Sequence, residues 1–262
     1  MKKKLITGFL ILIVLSSSQA RAWGVLGHRI VGQIAESYLT PQARLAVSRI
    51  LGNESIAISS NWADFIKSDP SYSYLGPWHY ADIEDGMNFT QLQNYFQRDT
   101  ATDAYTKLNF LINALKNKSL PKDQQLMYLR LVIHIVGDLH QPMHVGRKED
   151  AGGNKVRLTW FNDPTNLHGV WDEKLVNFQQ LSYTEYAAAI NHTTPAQRTL
   201  WQNQPVTQWI YESYELRNRI YKETKENDKL SYQYNFIFIG DVNQRLLQAG
   251  VRLAGVLNKI FS

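Results

Sequence analysis

Apolar residues recur every three or four positions along most of this 262-residue chain, so its elements read as helices. Leu126, Leu129, Ile133 and Val136 predict a central helix over about 123–140, which Pro142 stops because the residue before a proline is pushed out of the helical region. Ile30, Ile34 and Leu39 predict an earlier helix over 28–39. Thr40-Pro41 then opens another, with a capping hydroxyl and proline at the first position, and Gly52 closes it after Leu51. A short helix is expected over 60–67, and longer ones near 89–96, 101–116, 183–190, 206–225 and 236–259. Pro195, Pro205 and Asp228 serve as breaks. Residues 68–80, rich in Ser, Tyr, Pro and Gly, read as a long loop. Only 155–160 alternates polar and apolar residues, predicting one strand that can form half of a hairpin. The fold class is therefore all-α: a single helical domain over 23–262 with a minor β element.

The first 22 residues stand apart from this pattern. Lys2, Lys3 and Lys4 precede an apolar run from Leu5 to Leu15, and Ala20-Arg21-Ala22 offers a small-residue cleavage site. This reads as a secretory signal peptide over 1–22, too short to span a membrane, and implies an exported protein, periplasmic or extracellular. It also changes the charge argument. The chain has 28 basic and 23 acidic residues, but residues 1–22 hold four of the bases and no acid, leaving the remainder at net +1. A basic pI is thus no argument for nucleic-acid binding. With no cysteine, stability must come from the core and from any bound metal.

Candidate chemistry concentrates between His134 and Asp172, which hold four of the seven histidines. His134 with Asp138, and His168 with Asp172, are each four residues apart, a spacing that puts an imidazole and a carboxylate on one helix face. Zinc accepts both donors, and histidine with carboxylate but no thiolate suits a hydrolytic site better than a structural one. His144, His79, Asp64 and His28 extend the set. At Trp23 a free α-amino group and its own carbonyl can chelate a metal, with His28 closing the site; the alternative is an ordinary helix start. Asp64 and Lys67 can equally be a solvated ion pair at i, i+3. Trp23, His28, Asp64, His79, His134, Asp138, His144, His168 and Asp172 are too many for one ion and fit three.

In order along the chain, Trp23-Gly24-Val25-Leu26-Gly27-His28, Trp62-Ala63-Asp64, Trp78-His79-Tyr80, His134-x3-Asp138-x-His140-Gln141-Pro142-x-His144, Gly152-Gly153-Asn154 and Asn166-Leu167-His168-x2-Trp171-Asp172 resemble the secreted zinc-dependent single-strand-specific nucleases and 3′-nucleotidases. The resemblance implies the all-α fold shared with zinc-dependent phospholipases C, and three Zn²⁺. Asp64, His79, His134 and Asp138 would hold one ion, and His144, His168 and Asp172 a second. The Trp23 amino nitrogen and carbonyl, His28 and the other oxygen of Asp138 would hold the third, so signal cleavage would complete the site. His140 belongs to the motif without being a ligand, and a hydrogen-bonding role near the ligands or at the helix end is expected. His192 reads as a surface residue.

The implied activity is endonucleolytic hydrolysis of single-stranded DNA and RNA to 5′-phosphorylated products, with 3′-nucleotides as further substrates. Water activated between the ions sharing Asp138 would attack phosphorus in line, and the other ion would stabilise the departing 3′-oxygen. The resemblance assigns Asp64 and Lys67 to catalysis, with Lys67 also neutralising phosphate charge. Tyr80 would stack on a base, or else belong to the core, and Asp82 and Asn154 would bind a base edge. No stable protein partner is implied, and a monomer is expected. The rival readings are a zinc phospholipase C and a non-catalytic zinc-binding protein.

Overall fold

A computed structural model describes residues 23–262; the expected signal peptide at 1–22 lies outside the described residues. Nine longer α-helices make up most of the described chain: α1 Val25–Ser37, α2 Pro41–Leu51, α3 Phe89–Gln97, α4 Ala104–Leu115, α5 Lys122–Asp138, α6 Tyr183–Ile190, α7 Pro195–Asn203, α8 Val206–Glu223 and α9 Tyr232–Ile260. The all-α expectation is borne out.

The centre of the molecule is α5. From Leu131 to Asp138 every residue is buried, so this end of the helix is packed on all sides, including the face that carries His134 and Asp138. The long α9 packs across α1, α5 and α7. Its approach to α1 depends on Gly250, because a Cβ there would sit 2.5 Å from Ile34. No described helix is long and apolar enough to cross a membrane.

Local capping chemistry explains many of the boundaries. Thr40 Oγ1 accepts from Ala43 N at 3.2 Å and starts α2 at Pro41, as expected. Reciprocal side-chain to backbone caps open α3 (Asn88 with Gln91), α4 (Asp103 with Thr106) and α6 (Ser182 with Glu185). Two segments depart from the sequence reading. Pro195, read as a break, instead occupies the first position of α7, behind a Thr194–Gln197 capping box. Proline there lacks only an N–H that would be unpaired anyway, so it starts a helix as readily as it ends one. Residues read as a loop form a 3₁₀ helix, Pro70–His79, opened by Asp69, whose carboxylate accepts from Ser71 N at 3.0 Å. Its three-residue period does not produce the apolar spacing by which α-helices are recognised.

The β element is larger than expected. Strand β1 (Arg157–Trp160) pairs antiparallel with β2 (Asp163–Asn166) and parallel with β3 (Lys229–Leu230). The hairpin ends at Asn166, whose side chain accepts from Gly169 N at 2.7 Å and caps the turn carrying His168.

Candidate metal centre

Four chain segments meet at the C-terminal end of α5. His79 Nδ1, His134 Nε2 and Asp138 Oδ2 lie 2.9, 3.1 and 3.2 Å from one another, and Asp64 Oδ1 is 3.8 and 3.9 Å from the two imidazole nitrogens. Two ligands on a tetrahedral zinc with bonds of roughly 2.0–2.1 Å are separated by about 3.3 Å, so this spacing fits a common ion. Asp138 turns its other oxygen to His28, Oδ1 to Nε2 at 3.3 Å. The His28 ring stacks on His134, centroids 3.9 Å apart.

A second cluster stands beside the first. His168 Nε2 lies 3.1 Å from Asp172 Oδ2, and His144 Nε2 lies 3.7 Å from Asp172 Oδ1. The turn from His168 to Asp172 passes into a π-helical segment, Val170–Lys174, a widening often found at functional sites. Three of the imidazoles are oriented from behind: Nδ1 of His134, His144 and His168 donates to the carbonyls of Ser60, His79 and Gly152 at 2.6, 2.6 and 2.7 Å. That leaves the Nε2 lone pair of each facing its cluster.

The electrostatics suit cations. Burial pushes His79 down to about 4 and His144 down to about 3, so both imidazoles are neutral, the form that coordinates a metal. Burial opposes ionisation of Asp138, yet above all the facing His134 holds its carboxyl well below the usual range. Asp64 is likewise held at about 2 against burial, by His134 and then Lys67. His28 is fully buried with neither ring nitrogen hydrogen-bonded, and Asp138 Oδ1 is also unsatisfied. Buried polar atoms are rarely left without partners. A donor set of imidazole and carboxylate with orphaned atoms aimed inward fits metal ions. Besides the His79–His134–Asp138 and His144–His168–Asp172 groups, a third forms from His28, Asp64 and His134, each with donor atoms within 4.8 Å of one another. Trp23 is fully buried beside them, its indole passing Gly27 and Gly137, and Gly24 N donates to Asp172 O at 2.8 Å.

These clusters floor a cleft of about 660 Å³. Lys67, Tyr80, Asp82 and Asn154 all line it. Lys67 Nζ is 2.7 Å from Asp64 Oδ1, in a pair largely withdrawn from solvent rather than on an open surface. Tyr80 is 41% exposed, which excludes a core role. Burial, eased by Lys148, raises the Asp82 carboxyl, and the Asn154 amide donates to Ala151 O at 2.8 Å.

The S1/P1 Nuclease family profile matches residues 23–262, the whole of the described chain. The chain belongs to the S1/P1 nuclease family. It is 30% identical to Endonuclease 3 of Arabidopsis thaliana over 93% of this chain and 90% of that one. It is 32% identical to Nuclease S1 of Aspergillus oryzae over 58% and 54% of the two chains. Among solved structures, the alpha toxin from Clostridium absonum superposes with a TM-score of 0.48 at 18% identity, covering 91% of this chain and 65% of that one. The protein is thus a phosphodiesterase, a single-strand-specific endonuclease, and its three buried His/Asp clusters match the three zinc ions of S1/P1 nucleases.

Several residues of this nuclease's site carry no signal that spacing alone reveals. The Gln141 side chain donates to Asp172 Oδ1 and accepts from Met143 N, tying the two halves of the second cluster together. Gly137 makes room for His28, since a Cβ there would lie 2.8 Å from its Nδ1. Arg217, fully buried, donates to the carbonyls of Ile83, Val145 and Gly146 at 2.8–3.1 Å and so braces the segments carrying Asp82 and His144. His140 points away from the clusters, as a non-ligand should. Its Nδ1 donates to Val136 O at 2.7 Å and its Nε2 accepts from Arg252 at 3.0 Å. His192 is exposed.

Proposed function

We propose that the three ions divide as the ligand pattern implies. Asp64, His79, His134 and Asp138 hold the first, and His144, His168 and Asp172 the second. The Trp23 α-amino nitrogen and carbonyl, His28 and the second oxygen of Asp138 hold the third. The observation that carries this reading is the double engagement of Asp138, with Oδ2 toward His79 and His134 and Oδ1 toward His28. Removal of residues 1–22, in an exported protein acting as a monomer in the periplasm or outside the cell, would free the Trp23 amino group. A family match that begins at Trp23 supports that boundary.

Bound zinc supplies Lewis acidity, lowering the pKa of a water toward ~7 and stabilising charge on phosphate oxygens. The chain's own residues do the rest. Asp64 and Asp138 hold the reacting phosphate's surroundings in register, while Lys67, fixed against Asp64, presents a positive charge at the cleft floor to the non-bridging phosphate oxygens. Tyr80 stacks on the base of the nucleotide whose 3′-oxygen departs, and Asp82 and Asn154 hydrogen-bond its edge. A paired base presents neither its face nor its edge, so this contact favours single strands. The products are 5′-phosphorylated, and 3′-nucleotides fit the same site.

Turnover of denatured DNA, RNA, a 3′-nucleotide and phosphatidylcholine, measured side by side, tests the reading. Hydrolysis of the first three is expected; hydrolysis of the lipid alone overturns it.

A further inference from the structure

The outer wall of the cleft carries an aromatic surface that the catalytic site does not use. In the Pro70–His79 helix, residues three apart share a ridge. Tyr74 and Pro77 are one such pair, and Tyr80 follows at the helix end. Pro77 and Tyr80 line the cleft, whereas Tyr74 lies one turn further out and is 50% exposed. Tyr74 meets the Trp78 ring edge-on at 5.8 Å. Lys107 of α4 places Nζ 5.0 Å from the Trp78 ring and 5.8 Å from that of Phe110, which is 49% exposed and rests against Tyr128. Lys107 is half-buried, its ammonium held over the Trp78 ring and beside that of Phe110. Half-exposed aromatics gathered around a cation, and joined by one ridge to the substrate cleft, are unusual on a surface with no binding duty.

We propose that Tyr74 and Phe110, with Lys107 between them, form a stacking platform for the unpaired nucleotides flanking the scissile bond. A single strand leaving Tyr80 along the ridge meets Tyr74 and then Phe110, and Lys107 offers its ammonium to the intervening phosphate. Aromatic faces with an interleaved cation are the combination that holds single strands without reading sequence. The enzyme then grips several nucleotides, and single-strand selectivity is set along the strand as well as at one base. This inference rests on the nuclease reading and deepens it.

The test compares zinc-loaded wild type with Tyr74→Ala, Phe110→Ala and Lys107→Gln on a dinucleotide and on a single-stranded ten-nucleotide substrate. Each aromatic variant should raise KM for the longer substrate about tenfold, with kcat unchanged and dinucleotide turnover within about twofold. Lys107→Gln should make the salt dependence of binding to a non-hydrolysable phosphorothioate ten-mer shallower, by about 0.7 in log–log slope. Unchanged KM for the ten-mer, or equal losses on both substrates, overturns the platform alone. If wild type cleaves neither substrate, the nuclease reading fails instead.

Discussion

Asp138 faces His134 through Oδ2 at 3.2 Å and His28 through Oδ1 at 3.3 Å, so one fully buried carboxylate turns each of its oxygens to a different imidazole. On the proposed division of the ions, Asp138→Asn removes a charge that two of them share. The variant should bind fewer than three zincs and lose at least about 100-fold in activity, since changes merely behind the ligands already cost 10–100-fold. Zinc analysis of the purified variant checks this, and three retained zincs would refute the shared-ligand assignment.

Gly137 sits beside Asp138 on α5 and leaves space for the His28 ring. By helix propensity alone, Gly137→Ala should stabilise by up to about 1 kcal/mol. The close approach predicts the reverse for the metal, because a Cβ 2.8 Å from His28 Nδ1 forces the ring away from Asp138. Zinc content should fall from three toward two. A variant with full zinc content and activity would show that the ring has room to spare.

Much of the centre was legible in the sequence because its histidines and carboxylates are paired at i, i+4, as in His134 with Asp138, or stand in motifs of fixed spacing, as in Trp62-Ala63-Asp64. The helices α2 and α6 were legible for the same kind of reason: Thr40-Pro41 and the apolar spacing are local signals. The Pro70–His79 helix was not, since 3₁₀ periodicity resembles a loop rich in Ser and Tyr. Gly137 and Arg217, and the tie that Gln141 of the motif makes to Asp172, were hidden because their work is done across long sequence separations, such as Arg217 to Ile83. Pro195 was misread because the same residue type both ends and begins helices.

Arg217 gives a test of the bracing role. Arg217→Met strips donors from three backbone carbonyls and removes one of the two arginine partners of Asp85, leaving Arg147. At ~1–3 kcal/mol per orphaned buried group, the variant should lose about 3 kcal/mol of stability. KM should rise several-fold, because Asp82 and His144 lie on the segments released. Thermal unfolding and substrate kinetics together measure it; a normal melting temperature with normal KM would contradict the role.

Asp103 caps α4, which also ties to the cleft wall through Ala104 N to Tyr80 O at 3.0 Å. Burial, with the Asp99 carboxyl beside it, raises Asp103 to about 6. A raised carboxyl contributes stability that is whole below its unfolded value of ~3.9 and is lost as pH rises through the folded value. Asn also caps helices, so Asp103→Asn should match wild type near pH 4 and exceed it above pH 7 by about 1 kcal/mol after allowing for solvent screening. Melting curves at the two pH values decide it, and a pH-independent difference would contradict the shift.

The most direct measurement is a zinc titration with activity on single-stranded DNA, run on protein beginning at Trp23 and on the same protein extended by one residue before it. The processed form should bind three zincs and reach full activity only with the third, whereas the extended form should stop at two and stay largely inactive. Three zincs and full activity in the extended form would contradict an N-terminally completed trinuclear centre.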